Sequence, residues 1–291
     1  MYWLQSGKWN QPTNRGVFNY QDELEYINPL IAANATVFGS TGIANTDGSA
    51  TGGNATYGAV CGISSSVNDI ARWTFATLGS SVNWGNLNTN RKDCAGCSND
   101  TRMVISGGDT SGGVDSTDMV ELNSSGTASN FKDVYSHYGG MSFSSATRAV
   151  VGGGYTGALS GSSNQYYMAF ATGGSASSSG SLSGSTRFVG TGASNSTTGL
   201  YAGGYQYSDY IQKMTIASLG TGVSWGELSV GRHNLGAVST EAKVVFGAGQ
   251  RSSGLTGVMD QKNFDNDGNC TTFGDLSFSG TCSGVSDMVR T

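Results

Sequence analysis

The chain has 291 residues, with 46 Gly, 2 Pro, 12% charged residues, 37% hydrophobic residues and a net charge of −5. That apolar content excludes a disordered chain, and a mildly acidic balance without a basic stripe argues against nucleic acid or an anionic membrane as partner. No stretch reaches the ~18 apolar residues of a membrane span, and the start MYWLQSGKWNQPTNRG lacks the apolar run of a secretion signal.

In chain order, residues 1–12 come first, rich in Tyr2, Trp3 and Trp9. They fit no repeating pattern and are expected to form a clasp or docking arm. Residues 13–291 are expected to form a single domain. It opens at Asn14–Phe18 on what reads as a second strand without a first. An aromatic-Gly-x-Leu block then recurs at Phe38, Trp84, Phe131, Ser179 (where Ser replaces the aromatic), Trp225 and Phe273, 46 to 48 residues apart. Around the strongest copies the rest of the unit aligns without gaps: RKDCAGCSNDTRMVISGG (91–108) lies over RHNLGAVSTEAKVVFGAG (232–249). Each unit reads as four short strands, typified by LGAVS (235–239), KVVFGAG (243–249), KMTIAS (213–218) and VSWGEL (223–228).

Four strands per unit at this period indicate an all-β fold, a six-bladed β-propeller with four antiparallel strands per blade. The chain's last stretch, GTCSGVSDMV (280–289), aligns with a first strand and is expected to join the N-terminal blade and close the ring. The Gly pairs after the second strand (Gly107-Gly108, Gly153-Gly154, Gly203-Gly204) are expected beside the crowded axis.

The order of Arg, two apolar strands, Gly-Gly, a third strand and an aromatic strand resembles the Kelch repeat in a divergent form. It is more similar to a Kelch-like repeat of structural proteins of tailed bacteriophages, notably marine and cyanobacterial ones. MTIASLGTGVSWGEL (214–228), CTTFGDL (270–276), CAGCSNDTRMVISGG (94–108) and NRGVF (14–18) carry the similarity.

Few residues suggest chemistry. Five Cys (61, 94, 97, 270 and 282) are an odd count for a disulfide framework and read as reduced thiols. Cys94 and Cys97, three apart on a strand, point to opposite faces and lack a second ligand pair for zinc. Asp265, Asp267 and Asn269 resemble the start of a calcium loop but fall where other units place a hairpin turn. His137 and His233 are the only histidines, in different units, and no serine or copper centre is suggested. Arg91, Arg187 and Arg232 recur at one repeat position and read as structural, as do Trp84, Phe131, Trp225 and Phe273. Six glycosylation-type sequons, starting at Asn34, Asn54, Asn99, Asn123, Asn195 and Asn269, read as turn chemistry. The connection between second and third strands reads as long and polar at 43–54, 109–118, 155–166 and 250–257. Tyr155, Gln165, Tyr166, Tyr167, Tyr205, Tyr207 and Tyr210 are the candidate binding residues.

The resemblance implies a non-enzymatic virion protein without cofactor or resident metal, assembled in the host cytoplasm. A tail-fibre or receptor-binding component in host attachment is the leading expectation. Its partners would be other virion proteins, further copies of itself, and a host surface glycan or protein. A capsid, neck or tail decoration protein is the alternative. A glycan-binding lectin or glycan-active enzyme is the alternative from another class.

Overall fold

The structure, a computed structural model, describes residues 13–43, 48–124, 126–156, 161–172, 176–183 and 189–288. It is a six-bladed β-propeller, and each blade is a four-stranded antiparallel sheet. From the axis outward, blade 1 is Ser283–Ser286, Gly16–Tyr20, Glu23–Ile27 and Thr36–Ser40. Blade 2 is Ala50–Gly53, Tyr57–Cys61, Asp69–Thr74 and Val82–Asn86. Blade 3 is Ala95–Ser98, Arg102–Ser106, Thr117–Glu121 and Ser129–Asn130. Blade 4 is Met141–Ser144, Arg148–Gly152, Asn164–Ala169 and Ser177–Ser181. Blade 5 is Thr191–Ser194, Thr198–Ala202, Tyr210–Thr215 and Val223–Glu227. Blade 6 is Gly236–Ser239, Lys243–Gly247, Val258–Asn263 and Thr271–Asp275. The ring closes as the C-terminal segment requires: Ser283–Ser286 pairs antiparallel with Gly16–Asn19, Val285 opposite Val17.

Second strands are buried on both faces, which is why they read as unbroken apolar runs such as MVI (103–105) and VVF (244–246). The core is not one mass. Six apolar clusters lie between successive blades, such as Phe38, Trp73, Phe75 and Val285 between blades 1 and 2. A single blade leaves both faces bare, so only the ring completes the burial.

Because the strands alternate in direction, all 2–3 loops and 4–1 connections share one face, the loop face. The 1–2 and 3–4 turns share the other, the turn face. Two hydrogen-bond rings circle the axis. On the loop side, backbone N–H groups of Asp93, Gly139, Val189, Asn234 and Cys282 each donate to the matching carbonyl one blade back: Gly48, Asp93, Gly139, Val189 and Asn234. Asp93, Gly139, Val189 and Asn234 share a left-handed conformation, φ 50° to 62°. That conformation is unusual for a β-branched residue such as Val189. On the turn side, hydroxyls ending the first strands form the second ring. Ser98, Ser144, Ser194 and Ser239 donate at 2.7–2.8 Å to the carbonyls of Gly53, Ser98, Ser144 and Ser194.

Cations hold the turn face. Guanidinium groups of Arg15, Arg102 and Arg148, at the starts of second strands, donate to the carbonyls of Phe75, Phe170 and Ile216 on the next blade. At two other junctions the third strand supplies the cation, Arg72 to Leu122 and Lys213 to Phe264. The 1–2 turns add a fourth device. Asn54, Asn99 and Asn195 accept from their own turn backbones and donate their amide N–H to the carbonyls of Asp100, Ala146 and Glu241 in the following blade. Three of the six sequon asparagines therefore spend their amide nitrogens on blade-to-blade contacts.

The aromatic-Gly motif has a steric cause. Among the described residues, at five junctions the 3–4 turn of the following blade lies over the outermost strand, and Gly79, Ala128, Gly220, Cys270 and Ala35 donate to Phe38, Asn86, Ser179, Glu227 and Asp275. A Cβ on Gly39, Gly85, Gly226 or Gly274 would overlap the backbone of Gly79, Gly126, Gly268 or Ala33. This cover also occupies edge groups that would otherwise invite pairing with another chain.

Three sequence expectations need correction. The described residues of 43–54 do not form a 2–3 loop: 48 and 49 lead from a 4–1 connection into the innermost strand Ala50–Gly53, whose Ala-Thr-Gly-Gly carries no apolar pattern. Third strands start earlier than expected, at Tyr210 rather than 213, because buried polar Gln212 interrupts the apolar run. The Gly pairs after second strands do not line the axis. Gly107 and Gly203 are crowded by His137 and Arg232 of the next 4–1 connection, and Gly108 and Gly204 donate to the carbonyls of those same residues. The glycines at the axis are Gly52, Gly96, Gly192 and Gly284 of the first strands.

Candidate functional site: an aromatic loop face on blades 4 and 5

Arg91 and Arg232 are fully buried and pin 4–1 connections to the blade they enter. Arg91 pairs with Asp118 at 3.1 Å and donates to the carbonyls of Ser116 and Ile105. Arg232 pairs with Asp260 at 3.0 Å and donates to Phe246. The same third-strand position holds Glu25 and Gln212. Its acceptor oxygens take the backbone N–H just after each aromatic block: Ser277 on Glu25, Asn88 on Asp118, Ser183 on Gln212 and Ser229 on Asp260. These groups are scaffold, and Arg187 lies outside the described residues.

The connection into blade 4 is built differently. His137 takes the place of Arg91 and Arg232, and its carbonyl accepts from Gly108 as that of Arg232 accepts from Gly204. Its ring stacks on Tyr135 with centroids 4.6 Å apart, Nδ1 lies 2.7 Å from the Tyr135 carbonyl, and Tyr166 leans on Tyr135 at 5.2 Å. Burial pushes the His137 pKa down to about 4; the Tyr135 carbonyl opposes this and Arg91 adds to it. The imidazole is therefore neutral at pH 7.

The thiols sit apart from any ligand set. Cys94 packs in the cluster between blades 2 and 3 and Cys97 in that between blades 3 and 4, on opposite faces of their strand. Burial pushes Cys94 and Cys282 up to about 12. Asp265 to Asn269 form the 3–4 turn of blade 6. Lys262, which lies 4.0 Å over the Trp225 ring, donates to the Gly268 carbonyl, and the Asn269 side chain accepts from Glu227 N–H at 3.1 Å. Two potential ligand oxygens of that turn are thus engaged, one by a contact within blade 6 and one by a bond that joins blades 5 and 6. Among the described residues no group of three or more His, Cys, Asp or Glu gathers as a metal would require. Trp225 and Phe273 are buried between blades, and Arg72 is held between Tyr57 and Trp84 at 4.1 and 4.4 Å.

Around the axis the first strands enclose a cavity of about 120 Å³ lined by Gly96, Cys97, Ser142, Gly192, Ala193 and Gly284 among others. It has room for several waters.

The candidate binding tyrosines separate into two sets. Gln165 is fully buried in a third strand, its amide N–H directed at Ser179 and Gly220, so it is unavailable to a ligand. Tyr166 belongs to the packed junction around Tyr135, Tyr167 lies under Arg148, and Tyr210 starts a third strand. Tyr155, Tyr205 and Tyr207 lie on the loop face. There they meet two residues that sequence reasoning did not connect to them. Tyr138 stacks on Tyr155 at 4.9 Å and 21°, with their backbones bridged, and His233 meets Tyr207 edge-on at 5.2 Å. Tyr205 and Tyr207 are 44% and 38% exposed. Burial first, then the Tyr205 and Tyr138 phenols and the Asp93 carboxylate, push up the pKa of the Tyr155 phenol, which stays a neutral hydroxyl. The 205–207 turn is strained: Gln206 and Tyr207 have φ of 61° and 57°, straight after two glycines with positive φ. Tyr2, Trp3 and Trp9 lie outside the described residues.

Comparison with protein-family models and with curated proteins found no match for this chain.

Proposed function

We propose that this propeller is a non-enzymatic component of a tailed-bacteriophage particle and serves in host attachment, presenting its loop face outward. The observation that carries the reading is the cluster of Tyr138, Tyr155, Tyr205, Tyr207 and His233. Five rings from blades 4 and 5 and the two connections beside them converge on one face, held by a scaffold whose every described junction is pinned by side chains. Tyrosine presents a large rigid contact area at low conformational entropy, and rigid scaffolds with variable loops are the usual carriers of recognition. The Kelch-like repeat of phage structural proteins supplies the setting. The buried arginines, histidine and thiols serve packing, which supports a binding role rather than catalysis. The alternative, a capsid, neck or tail decoration protein, would place the same face against other virion proteins.

Two measurements test this. Antibody labelling of intact particles should mark a tail tip or fibre; labelling confined to the capsid shell would sink the attachment role. Purified protein should compete with particles for adsorption to host cells, and the triple variant Y155A/Y205A/Y207A should compete poorly.

A further inference from the structure

We infer that residues 1–12 lie as a clasp across the turn-face rim of blades 1 and 2, with Trp3, Leu4 and Trp9 covering a row of aliphatic side chains there. This contact is separate from the loop face. Residues 1–12 lie outside the described residues, whereas the receiving surface is within them. It consists of Leu30, Ile31 and Val37 of blade 1 and Leu78 and Val82 of blade 2, which are 45%, 62%, 67%, 54% and 58% exposed. All five sit in a 3–4 turn or in the first two residues of the fourth strand after it, so they share the turn face. Among the described residues only two other large aliphatic side chains, Val223 and Leu255, are exposed.

Two of the five depart from the repeat. Val37, opposite Glu25 beside the bulge of its strand, stands where blades 2, 4, 5 and 6 carry Asn83, Ser178, Ser224 and Thr272. Leu78 precedes Gly79, whose N–H bonds to the blade before, as Leu219 precedes Gly220. Leu219 packs against the cluster between blades 4 and 5, while Leu78 is left in solvent. The row follows one seam. The Gly79 N–H donates to the Phe38 carbonyl at 2.9 Å and the Ser81 N–H to the Ser40 carbonyl at 2.8 Å. Val37 and Leu78 thus flank the first bond, and Val82 follows the second. Single exposed aliphatics are ordinary on a protein surface, but five gathered on two adjacent turns call for a cover.

The point of departure selects the occupant. The Thr13 hydroxyl donates to Asp287 at 2.7 Å, and the Arg15 backbone N–H donates to the same carboxylate at 3.1 Å. The Arg15 guanidinium bonds to the Phe75 carbonyl, in the turn that carries Leu78. It also lies 5.1 Å over Tyr26, in the strand that leads to Leu30. Residues 1–12 therefore leave from the turn face against both turns of the row. The outermost strand lies two strand spacings from the second, about 10 Å. Four residues separate Trp9 from Thr13 and ten separate Trp3 from it, spans of up to about 14 and 35 Å. The stretch MYWLQSGKW (1–9) supplies wide apolar ring faces to lay on an aliphatic row. A separate protein needs about 800 Å² of buried surface for a stable contact, more than five side chains offer. A segment tethered beside the row meets it at an effective concentration on the order of millimolar, so a small contact suffices.

The test uses the full chain. A benzophenone amino acid replaces Trp3, and light-induced crosslinks are mapped by mass spectrometry. Crosslinks within one chain to segments 30–37 and 78–82 are expected. Lys8 supplies a second readout, since trypsin cuts after it readily only when the segment is lifted. The rim variant I31S/V37S/L78S should speed that cut at least about tenfold, and so should W3S/L4S. Combining the two sets should add little beyond either alone. Because the rim side chains are exposed, circular dichroism should show the parent fold in each variant. A cut as fast in the parent as in the variants, or crosslinks to any other face, would overturn the inference. Crosslinks found only between chains and rising with concentration would overturn it in favour of an arm exchanged in a dimer. Rim variants that leave the Lys8 cut unchanged but fail to enter particles would overturn it and assign the row to another virion protein.

Discussion

Asp260→Ala tests whether the buried carboxylates of the third strands hold the ring together. In the native chain Asp260 is fully buried and accepts from the Arg232 guanidinium at 3.0 Å and the Ser229 N–H at 3.1 Å. The substitution leaves Arg232 buried with the Phe246 carbonyl as its remaining partner and strips the acceptor from Ser229. Breaking a buried pair in this way costs about 3–5 kcal/mol. Scaled to 291 residues, an unfolding entropy of ~2.1 cal/mol/K per residue makes that a fall in Tm of roughly 5–8 °C. Calorimetry and urea titration of D260A, R232M and the double variant R232M/D260L form the assay. The double variant should recover most of the loss, since replacing both partners by apolar groups of similar volume removes the stranded charge. Glu25→Gln is the internal reference. Glu25 fills the same position and receives Ser277, with no arginine beside it, so its loss should be about 1 kcal/mol. A D260A melt within a degree of the parent, or equal losses for D260A and E25Q, would refute the clamp.

Gly274→Ala places a methyl against the Ala33 backbone and should cost about 1–3 kcal/mol by urea titration, although alanine is ordinarily the better-tolerated residue; an unchanged midpoint would remove the steric account of the aromatic-Gly motif. Deleting residues 282–291 removes the strand that pairs with Gly16–Asn19, and circular dichroism should show a large loss of thermal stability; unchanged melting would disprove ring closure. His137 adds a pH dependence. Its folded pKa, about 4, lies below the ordinary imidazole value of 6.5, so the unfolded chain binds the extra proton between these values. Stability is then full above pH 6.5 and declines as pH falls towards 4, by about 3 kcal/mol in all. His137→Gln should flatten urea midpoints across that window, and an equal slope in the variant would move the effect elsewhere.

The blades were legible because their apolar strands and aromatic-Gly blocks recur at a fixed interval, and buried strand pairs print themselves as unbroken runs such as MVI (103–105). Ala50–Gly53 escaped notice since strands crowded at an axis select small residues, which look like a loop. Buried polar groups misled in both directions. Gln165 read as a binding residue because an amide in a tyrosine-rich stretch resembles a surface, while Gln212 hid the start of its strand. The loop face was half legible. Tyr155, Tyr205 and Tyr207 stand out as aromatics in polar segments, but Tyr138 and His233 reach them only through the 4–1 connections, and no local pattern announces that meeting.

The cation that grips the next blade's third strand comes from the second strand after blades 1, 3 and 4 and from the third strand after blades 2 and 5. The connections differ as well: Arg-carboxylate into blades 3 and 6, His-Tyr into blade 4, an amide into blade 5 and a lone glutamate into blade 1. The seams into blades 3 and 6 share one design, a third-strand cation on the turn face and an Arg-carboxylate pair in the connection, while the seams into blades 4 and 5 follow others. Blades of this chain are therefore not freely interchangeable tiles: a blade moved to a seam of another design would leave its cation or its carboxylate without the partner it faces here, so part of the blade order is written into the side chains.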